Sequence, residues 1–163
     1  MKIKLINAAI LFCALTFITG CSPKKEEPAP APVIDKEAIK QEIQAKENEF
    51  AAMLNAGDIK KINYYADDAV SYSQNKAPSI GKQDIEAYYS AGFDSLSRAN
   101  IISFTTNDVF ISNDANQVLE VGSFKVVDSA SVAVNSGNYM VYFEKRDGKY
   151  VSVREMSTSD RPN

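Results

Sequence analysis

The chain begins with a charged segment followed by a continuous apolar run. Lys2 and Lys4 precede the residues from Leu5 to Ile18, of which all but two are apolar. This order and length are typical of a signal peptide, and the run is shorter than the roughly 20 apolar residues that a membrane-spanning helix needs. We therefore predict that residues 1–20 are a leader that is removed on export.

The apolar pattern resumes with helical spacing at residue 35. Asp35 and Gly57 bracket this segment, and they are residue types that begin and end helices. The stem of Lys46 fills one gap in the apolar stripe between them. The pattern predicts a first helix whose inner face carries Ile39, Ile43, Phe50, Met53 and Leu54.

Two shorter helices are predicted after the first. The second runs from Asp58 to Asp67-Asp68 and is followed by a short strand at 70–73. Its inner face is formed by Ile59, Ile62 and Tyr65. The third helix follows a loop and presents Ile85, Tyr88, Tyr89, Phe93 and Leu96 at helical spacing.

Beyond residue 100 the apolar period changes to two, which is the period of strands. Asn113-Asp114 and Asp147-Gly148 supply tight turns, and residues 129–137 supply a looser one. Helices followed by an antiparallel meander predict an α+β fold with the three N-terminal helices on one face of the sheet. The predicted strands are Ile101–Ile111, Val118–Val127, Tyr139–Lys145 and Tyr150–Met156.

Length and composition fit one globular domain. The chain has 163 residues, of which 45% are hydrophobic. Removal of residues 1–20 changes the net charge from −3 to −5, which argues against a nucleic-acid partner. The stretch 21–34 is rich in proline and alanine and predicts an extended linker. The domain is then assigned to residues 35–163.

Cys21 stands directly after the apolar run, in the order Ile18-Thr19-Gly20-Cys21. This resembles the lipobox of bacterial lipoproteins, which implies that Cys21 is lipidated. The protein is then anchored in the cell envelope, on the periplasmic side of the outer membrane or at the cell surface, because two or more acyl chains bind membranes stably. The alternative is an ordinary signal peptide with an incidental cysteine. The segment 24–27 resembles an acidic surface-export tag of some Bacteroidetes lipoproteins and fits a solvated linker equally well.

Five short segments of the domain resemble one family in their order and spacing. They are Leu54-Asn55-Ala56-Gly57-Asp58, Tyr65-Ala66-Asp67-Asp68-Ala69-Val70, Gly81-Lys82-Gln83-Asp84-Ile85, Gly122-Ser123-Phe124 and Asp147-Gly148-Lys149-Tyr150. Over residues 35–160 the chain is similar to the SnoaL-like branch of the nuclear-transport-factor-2-like superfamily. The resemblance implies a curved antiparallel sheet wrapped around helices, a cone with a pocket at its open end, and a homodimer.

The residue inventory argues against several catalytic chemistries. The chain has no histidine, and a lipidated mature chain has no free thiol. Catalysis by His or Cys is therefore not expected, and neither a metal nor an organic cofactor is predicted. The resemblance also permits a comparison with ketosteroid isomerases, which use a tyrosine and two acidic residues. Those positions fall on Phe50, near Ser73 and near Met140 or Val141, so we predict that this activity is absent.

Glu120 is the strongest single candidate for a site residue. The same face of its predicted strand is otherwise apolar, and a buried carboxyl group needs a raised pKa or a cation. Arg154 is a candidate partner, although a purely structural pair, or a Glu120 that lies in water, fits the pattern too. Buried tyrosine hydroxyls also need partners. The predicted pocket residues are Phe50, Leu54, Tyr65, Tyr72, Tyr89, Phe104, Glu120, Phe124, Tyr139 and Arg154.

Three hypotheses for the function follow. The first is a binding module that holds a small, partly apolar molecule. The second is an enzyme that uses Glu120, helped by tyrosines and Arg154. The third is a dimerisation or interaction module, for which the outer face of the sheet offers Phe110, Val121 and Val151 as candidate exposed apolar residues.

Overall fold

The computed structural model describes residues 34–59, 63–95 and 99–161. The predicted leader, Cys21 and the linker up to residue 33 lie outside these described residues. Within them, no helix is long and apolar enough to cross a membrane. The described residues belong to one compact unit, which contains the hydrophobic core.

Two α-helices and one six-stranded sheet make up the described part of the chain. The strand order is β2-β1-β6-β5-β4-β3, and the helices lie against one face of the curved sheet, which we call the inner face. The elements are α1 (Lys36–Ala56), β1 (Tyr65–Ser73), β2 (Ser79–Ile80), α2 (Lys82–Ser95), β3 (Ile101–Ile111), β4 (Gln117–Val127), β5 (Ala133–Arg146) and β6 (Lys149–Ser159).

Helix α1 has the predicted ends and a different inner stripe. Asp35 accepts a hydrogen bond from the amide of Ala38 at 3.0 Å, and Gly57 ends the helix with a left-handed φ of 72°. The gap in the apolar stripe is filled by Glu47, which is 1% exposed, whereas Lys46 is only partly buried. The prediction for Lys46 was therefore wrong, and a carboxyl group lies in the core instead.

Side-chain amides of α1 cover the outer edge of β3. Asn55 both donates to the carbonyl of Ile102, at 3.0 Å, and accepts from its amide, at 2.9 Å. Gln44 donates to the carbonyl of Phe104 and accepts from the amide of Thr106. An uncovered edge strand exposes a row of unpaired backbone groups, so these contacts both position α1 and protect the edge.

The second predicted helix is wrong in its C-terminal half. Tyr65 lies in β1, and Asp67 and Asp68 are exposed strand residues rather than a helix end. Ile59 is buried near the end of α1, and Ile62 lies outside the described residues. Strand β1 pairs in parallel with β6, so the sheet is mixed rather than wholly antiparallel. This pairing joins residues about 85 positions apart, and local periodicity does not report it.

The predicted meander is present as β3 to β6. Strand β3 has the predicted bounds, and β5 begins at Ala133, inside the segment predicted as a loose turn. The tight turn at Asp147-Gly148 has positive φ at both residues, as hairpin turns of this type require.

A β-bulge in β6 reverses the alternation of its side chains. Tyr142 pairs with Arg154, but the next residue of β5, Phe143, pairs with Ser152, so Val153 is the extra residue. Ser152 and Val153 are both buried as a result. Beyond the bulge, the inner face receives Glu155, and Arg154 is turned to the outer face.

Candidate functional site

A cavity of about 120 Å³ opens between the inner face of the sheet and the two helices. More than half of its lining residues are aromatic, and two are glutamates. The lining residues are Glu47, Phe50, Tyr64, Ser73, Tyr88, Tyr89, Ile102, Phe104, Phe124, Tyr139, Val141, Glu155 and Ser157.

Strand register places two glutamates in one row across the sheet. Glu120 pairs with Val141, and Val141 pairs with Glu155 on the following strand. Neighbouring strands are about 4.8 Å apart, so the two glutamate backbones are separated by about 10 Å. Glu47 approaches the same region from α1, because residues 43, 47, 50 and 54 share the buried face of that helix.

Glu155 is held by tyrosines from β1 and α2. The hydroxyl of Tyr65 donates to its Oε2, and the hydroxyl of Tyr89 donates to its Oε1 at 3.2 Å. The two tyrosine oxygens are 3.3 Å apart. Burial raises the pKa of the Glu155 carboxyl group, and the tyrosine hydrogen bonds oppose that rise only in part.

Glu120 is 0% exposed, and hydroxyl groups donate to only one of its two oxygens. Its Oε1 accepts from the hydroxyls of Thr106, at 2.7 Å, and Tyr139, at 2.9 Å. Its Oε2 is buried and accepts from no hydroxyl or amide among the described residues. Burial raises the pKa of Glu120, and the two hydroxyl donors lower it.

Gly122 allows Tyr139 to reach Glu120. The two residues pair across β4 and β5, and the Tyr139 ring lies directly over the glycine. A Cβ atom at position 122 would lie 2.2 Å from Cζ of that ring, which is far inside van der Waals contact. The glycine therefore makes the space through which the tyrosine hydroxyl reaches a carboxylate two residues away on the same strand.

Glu47 completes the group of carboxyls. It accepts a hydrogen bond from the hydroxyl of Tyr64. Burial first, and then the negative charges of Glu120 and Glu155, raise the pKa of Glu47 well above its usual value. The carboxyl groups of Glu47 and Glu120 are within hydrogen-bonding reach of each other. A proton on Glu47 therefore gives Glu120 a further donor beside the hydroxyls of Thr106 and Tyr139.

Phe50 organises the aromatic part of the cavity. Its ring stacks on Tyr64 with a centroid distance of 4.4 Å and on Phe104 at 5.4 Å. Tyr89 meets the same ring edge-on at 5.5 Å. Such arrangements are favourable beyond the area that they bury, so the cavity has preformed walls.

The charges around the cavity are unbalanced. Among the described lining residues there is no lysine or arginine, while Glu47 and Glu155 line the cavity and Glu120 lies beside it. No group of three or more metal-ligating side chains is arranged to hold a metal ion in the described part of the chain. The site is thus an acidic cavity with aromatic walls.

The predicted site residues separate into three groups. Phe50, Tyr89, Phe104, Phe124 and Tyr139 line the cavity. A second group lies directly behind this lining. Tyr65 and Glu120 form hydrogen bonds with the lining residues Glu155 and Tyr139, and Leu54 belongs to the core. Tyr72 and Arg154 are exposed on the outer face, so their prediction as pocket residues was wrong.

Arg154 is not the partner of Glu120. The bulge at Val153 turns it outward, where its Nη1 donates to the backbone carbonyl of Asp68 at 3.2 Å. Strict alternation of side chains from Tyr150 onward would place Arg154 on the inner face. A strand with one extra residue reverses every side chain beyond that residue.

Eight of the thirteen lining residues were missed by the sequence analysis, among them both glutamates, Glu47 and Glu155, and Tyr64, which bonds to Glu47. Glu47 was detectable, since it stands between Ile43 and Phe50 at the four- and three-residue spacings of the inner stripe. Tyr64 was hidden by the wrong second helix, and Glu155 was hidden by the bulge. No local pattern indicates either feature.

Neither a family model nor a curated protein matches this chain. Solved structures do match. A protein of unknown function from Nostoc punctiforme superimposes with a TM-score of 0.64 at 17% identity, covering 74% of this chain and 90% of that one. A ketosteroid isomerase-like protein from Erwinia carotovora gives a TM-score of 0.59 at 16% identity, covering 79% and 100%. A nuclear-transport-factor-2-like protein from Novosphingobium aromaticivorans gives 0.63 at 12% identity, covering 76% and 83%.

The chain has the cystatin-like, nuclear-transport-factor-2-like fold. This confirms the predicted fold class, with two α-helices in place of three among the described residues. At identities below 20% the similarity extends to the fold, and function must be argued from the site itself.

Proposed function

We propose that this protein is a lipid-anchored envelope protein whose domain binds a small, partly apolar molecule. The observation that carries the proposal is the open cavity, which has aromatic walls and buried polar groups at one side. Ligand sites combine an apolar lining with a few placed polar groups in this way. A dry cavity of about 150 Å³ holds a benzene molecule, so the part of the ligand inside this cavity has a similar size.

Native mass spectrometry of the protein purified gently from its own host tests this proposal. We expect a small additional mass that disappears on denaturation. Ser157 lines the cavity, so Ser157→Phe fills it and abolishes the additional mass. Thr158→Phe is the matched control, because the neighbouring side chain is exposed on the outer face. An apo protein, or a mass that Ser157→Phe retains, contradicts binding in this cavity.

The membrane anchor is a separate part of the proposal and rests on the motif that ends at Cys21. We expect Cys21→Ser to move the protein from the membrane fraction to the supernatant. Cys13→Ser is the matched control, because that residue lies within the predicted leader and its replacement leaves the anchor intact. If Cys21→Ser still sediments with membranes, the anchor is wrong.

A second candidate function is acid–base catalysis, and the contact between Glu47 and Glu120 favours it. A protonated and an ionised carboxyl group side by side can donate and accept protons at neutral pH. Arg154 has no part in it. If the domain is an enzyme, Glu47→Gln purified from the host should carry a different small molecule from the wild type, namely substrate in place of product. The same mass in both proteins favours simple binding.

We further propose that the outer face of the sheet forms a homodimer. Val121, Met140, Met156 and Tyr72 form one row across four strands, and the last three are 43%, 54% and 39% exposed. A continuous apolar row of this kind is typical of an interface. Of the other candidates, Phe110 is also exposed at 57%, whereas Val151 packs against the core.

Sedimentation equilibrium measures the dimer. Met140→Lys should give a monomer, and Thr158→Lys, an exposed position on the same side of β6 as Met156, should weaken association far less. A monomeric wild type at micromolar concentration contradicts this part of the proposal.

A further inference from the structure

We propose that the ligand of the cavity is a small organic cation, namely an ammonium group with short alkyl substituents, and that Glu47 and Glu155 are its counter-charges. This inference rests on the binding function proposed above and narrows its ligand class. It is carried by two observations together: the uncompensated carboxyl groups and the aromatic walls of one cavity.

The buried carboxyl groups of the site have no cationic side chain as a hydrogen-bond partner among the described residues. Three carboxyl groups are buried on the inner side of the sheet, and they are hydrogen-bonded to hydroxyl groups rather than to cationic side chains. A buried carboxylate without a cation is costly. In the free protein a proton on Glu47 lowers that cost, because the protonated carboxyl group donates a hydrogen bond to Glu120. A bound cation replaces those protons and leaves the carboxylates charged and paired.

The second step is the shape and chemistry of the walls. The rings of Phe50, Tyr64, Tyr89, Phe104 and Tyr139 surround the cavity. A cation within about 6 Å of an aromatic ring face is attracted by the ring, and quaternary ammonium ligands are recognised in this way. The volume of about 120 Å³ admits an ammonium group with a few carbon atoms.

The same observations argue against other ligand classes. An anion would be repelled by Glu47 and Glu155. A hard metal ion requires six or more oxygen ligands, and aromatic rings occupy most of the lining. A neutral apolar ligand would gain nothing from carboxyl groups and would bury them further. Of these classes, the organic cation alone uses both the rings and the charges.

Other charged and titratable groups face the site from both helices, the strands and one turn. The helices contribute Glu47, Tyr88 and Tyr89, and the strands contribute Glu120, Tyr139 and Glu155. Tyr64 directly precedes β1, and Tyr65 is the first residue of that strand. The turn after β1 holds Lys76, whose ammonium nitrogen lies 5.0 Å from the centroid of Tyr88.

Isothermal titration calorimetry on the unit 32–163, which contains its own complete core, tests the inference. The probes are tetramethylammonium, choline and n-butylammonium. The matched neutral probe is 3,3-dimethylbutan-1-ol, which has the shape of choline without its charge. We expect at least one cation to bind, with choline at least about tenfold tighter than the alcohol, because only choline carries a charge that pairs with the buried carboxylates.

Proton linkage and variants provide independent readouts. Because cations and protons compete for the same carboxyl groups, the affinity for the cation should rise with pH. Binding should also release protons, which titrations in buffers of different ionisation enthalpy detect. Glu155→Gln should weaken cation binding by at least about tenfold. Glu49→Gln is the control, since Glu49 is exposed on α1 two residues from Glu47.

The outcomes separate this inference from the binding function. Equal or tighter binding of the neutral alcohol overturns the cation and leaves a binding pocket. Failure of all three cations to bind also overturns the cation, even if the protein from its host carries a small molecule. Failure of all four probes together with an apo protein from the host overturns both. Tighter cation binding with proton release supports the inference even if Glu155→Gln does not fold.

Discussion

Gly122→Ala should damage the site through Tyr139. The added Cβ atom would lie 2.2 Å from Cζ and 2.3 Å from Oη of the tyrosine, whereas ordinary contact begins at 3.4 Å. The ring must therefore move by about 1.2 Å, the difference between the two distances. Its hydroxyl donates to Glu120 at 2.9 Å, and such a displacement takes it out of hydrogen-bonding range.

The expected cost has two parts. Overpacking a close-packed interior costs about 1–3 kcal/mol. A buried carboxyl group that loses one of its two hydroxyl donors costs about 1–3 kcal/mol more. We therefore expect Gly122→Ala to lower the free energy of unfolding by about 2–6 kcal/mol, measured by urea denaturation followed by circular dichroism.

Two comparisons make this prediction specific. Gly92→Ala adds the same methyl group in α2, where no atom of the described residues lies within 4 Å of it, and should stabilise by about 0.5–1 kcal/mol. Tyr139→Leu removes the atoms that would clash, so Gly122→Ala should cost much less in that background. A cost below about 1 kcal/mol in the wild type, or the same cost in both backgrounds, would refute the role assigned to Gly122.

Three further predictions concern stability. Burial raises the pKa of Glu47, Glu120 and Glu155 above the value of about 4.3 in an unfolded chain, so the folded state binds more protons than the unfolded state above that pH. The free energy of unfolding should therefore fall as the pH rises from 5 to 8. An increase in the free energy of unfolding over this range would contradict the burial of these carboxyl groups. Glu47→Gln keeps an acceptor for the Tyr64 hydroxyl and gives Glu120 a permanent donor. It should therefore flatten this pH dependence and raise the free energy of unfolding by about 1 kcal/mol at pH 8, whereas Glu49→Gln should leave it unchanged. Asp35→Ala removes the cap of α1 and should cost about 1 kcal/mol in thermal unfolding, and an unchanged melting temperature would contradict the capping contact.

The parts of the fold that depend on local patterns could be predicted from the sequence. Helix α1 follows from its apolar stripe and its caps, and β3 to β6 follow from alternation and turn residues. The inner face of β4 was predicted with Glu120 on it, because no bulge interrupts that strand near the glutamate. In each case neighbouring residues carry the information.

The parts that failed depend on distant partners. Tyr65 was assigned to a helix because its spacing from Ile59 suits one, but β6 supplies a parallel partner at residue 152 that no local window contains. Arg154 and Glu155 exchanged faces because one residue bulges out of the ladder. The positions of Tyr65 and Glu155 in the site therefore depend on strand register, which only the assembled sheet determines.

The titration of the three glutamate carboxyl carbons by NMR tests the central claim most directly. In the free protein we expect Glu47, Glu120 and Glu155 to titrate above the ordinary range, with Glu47 raised most clearly by its burial and by its two acidic neighbours. Saturation with tetramethylammonium should bring the pKa values of Glu47 and Glu155 down, since a bound cation stabilises their charged forms. Three carboxyl groups that titrate normally and do not respond to the cation would contradict a buried acidic pocket that binds cations.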